Sequence, residues 1–122
     1  MNTTRSLIKS YLNAQKGIIN VMSRQRNFVI EITITILVIA AGFIFNISFE
    51  EWCIVLVCIA MVLSSEAMNT AIEKMGDAIA PGHHPLVGKA KDVAAGAVLI
   101  ASLISGIIGI LIFVPKIIIL IK

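Results

Sequence analysis

Charge is scarce in this 122-residue chain: 14% of its residues are Asp, Glu, Lys or Arg, against 58% that are hydrophobic. A soluble domain of this size needs a charged surface to stay dispersed, so that class is excluded. Cysteine is nearly absent. Cys53 and Cys58 lie five apart in one apolar stretch. One helix points them in different directions, which argues against an intrahelical disulfide, and no CxxC or Cys/His spacing offers a metal site. No aromatic interleaving or reader motif accompanies the basic residues, so the expected partners do not include nucleic acid. The N-terminus has no continuous apolar core of the kind a cleavable signal peptide needs. There is no internal repeat and no low-complexity segment.

What is present is apolar length. A membrane-spanning helix takes about 20 mostly apolar residues, and three such spans fit here with an N-terminal segment left over. The expected fold class is all-α and integral to a membrane: a surface helix and three membrane helices in one domain, residues 1–122. Residues 4–24 read as the amphipathic surface helix. At about 100° per residue, Leu7, Tyr11, Ile18 and Met22 share an arc that Ile8, Leu12 and Ile19 widen. Arg5, Lys9 and Lys16 share another, flanked by Ser6, Asn13 and Asn20. That pattern suits a helix lying in the headgroup plane. The alternative, a helix packed on a soluble core, has little core to pack on.

The spans are predicted at 28–45, 52–80 and 93–114. Glu31 is the only charge in the first. Trp52 opens the second as an interfacial anchor, and Pro81-Gly82 ends its helix. In the third, Ser102/Gly106 and Ser105/Gly109 are small-xxx-small pairs suited to close helix packing, and Pro115-Lys116 interrupts near its end. Of ten Lys and Arg residues, Arg5, Lys9, Lys16, Arg24 and Arg26 precede Phe28, Lys74, Lys89 and Lys91 cluster around the second loop, and the link 46–51 has none. The positive-inside rule then places the N-terminus and the second loop in the cytoplasm and the C-terminus outside. An anionic membrane surface is the natural partner for the basic N-terminal segment.

The chemistry lies in Glu66, Asn69, Glu73 and Asp77. Their spacings of three, four and four put them within about 80° of one another on a helix. The stripe is about 16 Å long at roughly 1.5 Å per residue, and it descends from the apolar span to the cytoplasmic surface. An ionisable group at membrane depth costs at least about 2.5 kcal/mol, so such a stripe must face protein, water, a metal or a substrate. A purely structural network of buried polar groups is the plainer alternative. Read by depth, Glu66 is placed to take a proton from a lipid hydroxyl. Glu73, nearer the water, is a hard oxygen ligand suited to Mg²⁺, and Asn69 can orient either neighbour. His83, His84, Lys89, Lys91 and Asp92 lie near the stripe's lower end, where lysines can offset phosphate charge; each alone is more often a solvated loop residue. There is no GxxxxGK(S/T) and no protein-kinase signature set, so a nucleotide site would need another architecture.

The run Glu66-Ala-Met-Asn-Thr-Ala-Ile-Glu73, then Asp77, then His84-Pro-Leu-Val-Gly-Lys-Ala-Lys-Asp92 resembles the signature of the bacterial diacylglycerol kinase and undecaprenol kinase family. The family pattern is E-x-x-N-(S/T)-A-I-E, an Asp about four residues on, then H-x-x-x-x-x-A-K-D. The resemblance covers essentially the whole chain, including Lys16-Gly17. It implies a multi-pass protein of the bacterial inner membrane, a homotrimer with active sites between subunits, and transfer of the γ-phosphoryl group of ATP, with Mg²⁺, to a lipid alcohol. By the same resemblance Glu66 matches the general base and Asn69 an active-site amide. Glu73 matches a metal carboxylate. Lys91 and Asp92 match a nucleotide-contacting pair, and Asp77 and His84 are expected beside the nucleotide.

One position departs from the pattern. A second metal-binding Glu stands before the first span in the family, where this chain has Gln25 in the run Gln25-Arg26-Asn27-Phe28. An amide oxygen can ligate Mg²⁺ but brings no negative charge. Glu31, one to two turns on, is the alternative carboxylate. Ser6 stands where some members carry Arg. The end of the third span and the His-Pro-Leu loop are closer to the undecaprenol branch, so undecaprenol is the expected acceptor over diacylglycerol. Two competing readings are a catalytically impaired relative, prompted by Gln25, and a small transporter with an intramembrane carboxylate. A transporter would more often show repeated halves or broken helices near the midplane.

Overall fold

A computed structural model describes residues 2–24 and 26–122. Among them the chain is all helix: α1 (Thr3–Arg24), α2 (Arg26–Ile44), α3 (Phe49–Ile79) and α4 (Pro85–Ile121). The last three are long and apolar enough to cross a membrane. α3 is the centre of the bundle. It packs along α4 over the longest stretch, carries α2 on another face, and touches α1 only lightly.

Large apolar side chains point outward all along these helices, as at Leu37, Val57 and Ile104. In water that surface would drive aggregation; in hydrocarbon it is already solvated, so only a narrow seam needs burying. Hydroxyls of Thr33, Thr35, Ser64 and Ser65 inside the spans donate within their own helices, which suits a dry environment. Thr35 Oγ1 donates to the Glu31 carbonyl at 2.8 Å, and Ser64 and Ser65 donate to the Ala60 and Met61 carbonyls at 2.6 Å each.

The four-residue α2–α3 link, 45–48, is held by local hydrogen bonds. Asn46 takes φ 49°, the left-handed conformation that Asn tolerates better than most residues. The Asn46 N–H then donates to the Phe43 carbonyl at 3.3 Å and the Ile47 N–H to the Gly42 carbonyl at 3.1 Å, the paired bonds of a Schellman ending. Ser48 caps α3 at once: its Oγ accepts the Glu51 N–H at 3.2 Å, and Glu51 Oε1 accepts the Ser48 N–H at 3.0 Å. The other Glu51 oxygen, Oε2, accepts from Lys116 Nζ at 3.0 Å. That contact ties the start of α3 to α4. Ile47, Val55 and Ile112 form the buried core at this end, ringed by Phe45, Trp52 and Phe113. Gly42 is what lets Trp52 in, since a Cβ there would lie 2.6 Å from the indole ring.

α4 continues through Pro115 to Ile121, where the sequence predicts an interruption. A proline removes one backbone donor, and spanning helices tolerate that loss when neighbouring groups satisfy the freed carbonyl.

Candidate active site

At the opposite end of the bundle α3 changes character. Below Val55 and Val62 its inward face turns polar. Glu66 and Thr70 are buried there, at 7% and 8% exposure, and are the buried polar side chains among the described residues. A cleft of about 370 Å³ opens along this face, lined by Asn27 of α2 and by Glu66, Asn69, Thr70, Glu73, Lys74 and Asp77 of α3. The helical spacing therefore does gather the four stripe residues around one cavity.

Asn69 sits between this cleft and a second one, of about 260 Å³, lined by Ser64, Ser65, Met68, Asn69 and Ile72 of α3 and by Ala94 and Ala97 of α4. Its Oδ1 is buried and has no hydrogen-bond partner among the described residues. An orphaned acceptor costs about 1–3 kcal/mol, and here it stands beside hard carboxylate oxygens.

Lys91 reaches the site from α4. Its Nζ donates to Asp77 Oδ1 at 2.5 Å and lies 3.7 Å from Glu73 Oε2. Gly76 makes this crossing possible: a Cβ there would come within 2.9 Å of both Lys91 Cε and Val87 Cγ1. His84 serves first as the N-cap of α4, its Nδ1 accepting the Val87 N–H at 3.4 Å, with Pro85 opening the helix. His84 and Asp92 are both exposed and neither lines the polar cleft. Gln25 lies outside the described residues. Glu31 lines a different space, an apolar groove of about 340 Å³ between α2, α3 and α4 that runs past Val55, Cys58, Ser105 and Gly109 to Phe113.

Three cleft-lining residues escaped the sequence reading: Asn27, Thr70 and Lys74. Thr70 was the most accessible of them, because it follows Glu66 by one helical turn and so shares its face. Asn27 enters the cleft through the packing of α2 on α3, which no spacing in the sequence announces.

For cofactors, the donor set is all oxygen: two carboxylates and an amide around Asn69, with Asp77 beyond. No group of three or more His, Cys, Asp or Glu side chains among the described residues closes into a metal cage. Mg²⁺ seldom takes such a cage; it is usually held by one or two carboxylates together with substrate phosphates and water. The residues present fit that mode.

Fold and site together define a small helical membrane enzyme with its reactive groups at the polar end of its central helix. Residues 12–113 match the prokaryotic diacylglycerol kinase family. The chain is 42% identical over 115 residues to an undecaprenol kinase of Bacillus subtilis, covering 94% of each chain. It is 31% identical over 105 residues to a diacylglycerol kinase of Synechocystis, covering 85% of this chain and 60% of that one. The chain thus belongs to the prokaryotic diacylglycerol kinase family. It is a multi-pass bacterial membrane protein and an ATP-dependent lipid kinase.

Proposed function

We propose that this kinase transfers the γ-phosphoryl group of MgATP to the hydroxyl of a membrane lipid alcohol, and that undecaprenol is preferred over diacylglycerol. The observation that carries the chemistry is the polar cleft, with Glu66 buried at its deep end and Glu73, Asp77 and Lys91 at its mouth. The acceptor oxygen attacks the γ-phosphorus as the bond from that phosphorus to the bridging β-oxygen breaks, and the hydroxyl proton passes to a Glu66 carboxylate oxygen. Asn69 Oδ1 and Glu73 would hold Mg²⁺, with Gln25 as a neutral third oxygen. The ion, when bound, offsets charge on the transferring phosphoryl group. Asp77 holds Lys91 at the cleft mouth, where its ammonium faces phosphate oxygens, and Asp92 and His84 flank the nucleotide from α4.

The whole chain acts as one catalytic unit, with the N-terminus in the cytoplasm and α1 lying on the membrane surface. The unit is completed in a homotrimer whose active sites lie between subunits. The open side of the Asn69 cleft supports that assembly. The undecaprenol preference is supported by the 42% identity over 94% of both chains to an undecaprenol kinase.

Purified protein with MgATP, assayed separately on undecaprenol and diacylglycerol, tests the reading. Phosphorylated undecaprenol should form at the higher kcat/KM. Equal or greater efficiency on diacylglycerol would overturn the preference, and no product from any lipid alcohol would overturn the reaction.

A further inference from the structure

Among the described residues that line the cleft, one is a cation. Lys74 follows Glu73 directly and lines the same cavity as Glu66, Asn69 and Asp77. Its Nζ donates at 3.1 Å to the side-chain oxygen of Asn20 on α1. The two lysines of the site are therefore in different electrostatic states. Lys91 is shared by two carboxylates, Asp77 and Glu73, so the three groups together carry a net negative charge. Lys74 is hydrogen-bonded to a neutral amide and makes no ion pair among the described residues. A polyanion entering a cavity lined by three carboxylates meets an ammonium shared with two of them at Lys91 and one bonded to a neutral amide at Lys74.

We propose that Lys74 is a phosphate-binding residue of this site, held at rest by Asn20 and transferred to a phosphate oxygen when the nucleotide enters. The proposal rests on the kinase reading above and adds a residue to it. The exchange is favourable because the phosphate oxygen carries a negative charge, so the ammonium gains an ion pair where the neutral amide offers it only a dipole. It also has a mechanical consequence. α1 touches α3 only lightly, and the Lys74–Asn20 bond links the two helices across 54 residues of sequence. Nucleotide loading therefore loosens the hold of the surface helix on α3.

Two other roles would use the same contacts. Lys74 could serve only to hold α1 in place, or it could pair with a phospholipid headgroup, which presents the same phosphate chemistry. The test uses the full chain in maltoside micelles, which contain no phosphate, and compares the wild type with Lys74→Met, Lys74→Arg and Asn20→Ala. Binding of the Mg²⁺ complex of a non-hydrolysable methylene analogue of ATP is measured beside the KM for ATP and the KM for the lipid alcohol. Lys74→Met should weaken analogue binding and raise the ATP KM roughly 10- to 150-fold, the size of one hydrogen bond to a charged group. The lipid KM should stay unchanged, and Lys74→Arg should recover most of the loss. Asn20→Ala should leave the ATP KM unchanged or lower it, since it frees the ammonium. If Lys74→Met and Asn20→Ala raise the ATP KM alike, the residue is only a tether and the proposal fails. If Lys74→Met matters in phosphatidylglycerol bicelles but not in micelles, the headgroup is the partner and the proposal also fails. A wild type that phosphorylates no lipid alcohol defeats the kinase reading instead, and analogue binding then judges Lys74 separately.

Discussion

The two ends of the α3–α4 pair solve opposite problems. At the link end, polar groups around the α2–α3 turn are paired locally: the Schellman bonds close α2, the Ser48–Glu51 box opens α3, and Lys116 takes the remaining Glu51 oxygen. Aromatic rings then fill the space, with Phe43 on Trp52 at 4.9 Å and Phe45 on Phe113 at 6.1 Å between centroids. At the cleft end, a carboxylate is buried, an amide oxygen has no partner among the described residues, and carboxylates stand half-exposed around an open cavity. Such arrangements lower stability wherever they occur, and they persist where substrate completes them. The difference teaches where each kind of substitution should register. Changes at the cleft end should alter chemistry with little effect on folding, and changes at the link end should do the reverse.

The largest effect is expected from Glu66→Gln. Glutamine keeps the shape but cannot accept the proton, so turnover should fall about 10²–10⁴-fold. Thermal unfolding in detergent should barely move. Near-normal turnover at saturating ATP would remove Glu66 from the base role.

Next comes Gln25→Glu, which restores the family carboxylate. If one ion–carboxylate contact contributes about 1–3 kcal/mol, the Mg²⁺ needed for half-maximal activity should drop about 5- to 150-fold. Lipid preference should hold if the acceptor chain binds deeper in the membrane than the ion. Metal titrations that coincide with the wild type would show that Gln25 is remote from the ion. If Glu31 supplies the charge instead, Glu31→Gln becomes the damaging change.

Gly42→Val carries the comparison to the other end. Its side chain must enter the Trp52 ring, which a Cβ alone already approaches to 2.6 Å. Overpacking of this kind costs about 1–3 kcal/mol, to be read as a lower unfolding temperature with kcat per folded molecule preserved. A large fall in kcat with stability intact would mean that the two ends are coupled.

The smallest effect is assigned to Ser48→Ala. Loss of the N-cap should cost about 0.5–2 kcal/mol. Hydrogen exchange should show it as faster exchange confined to the first turn of α3. Exchange that quickened equally around Thr70 would break the separation between the ends.

Much of the site was legible because a helix turns spacing into direction. Glu66, Asn69, Glu73 and Asp77 share a face whatever surrounds them, and their residue types match phosphoryl-transfer chemistry. The S-x-x-E of Ser48 and Glu51 also spelled out its capping box, although the sequence reading passed over it. From the sequence His84 is a loop residue near the lower end of the stripe and, by resemblance, a neighbour of the nucleotide; its capping role depends on α4 beginning at Pro85. Proline at 115 was overread, because its local effect on one hydrogen bond does not decide whether a long apolar helix continues.

By itself, then, the sequence determined what depends on near neighbours along the chain: helices from apolar length, an amphipathic surface segment from periodicity, and a polar stripe from three- and four-residue spacing. The tertiary structure decided what depends on the docking of one helix against another. Lys91 crosses Gly76 to Asp77 over a separation of 14 residues, Lys74 meets Asn20 over 54, and Lys116 meets Glu51 over 65. Asn27 closes the cleft only because α2 packs on α3. Such contacts are set by the relative rotation and offset of packed helices. Those follow from the fit of side chains such as Trp52 over Gly42 and Val87 over Gly76, and not from any period within a single segment.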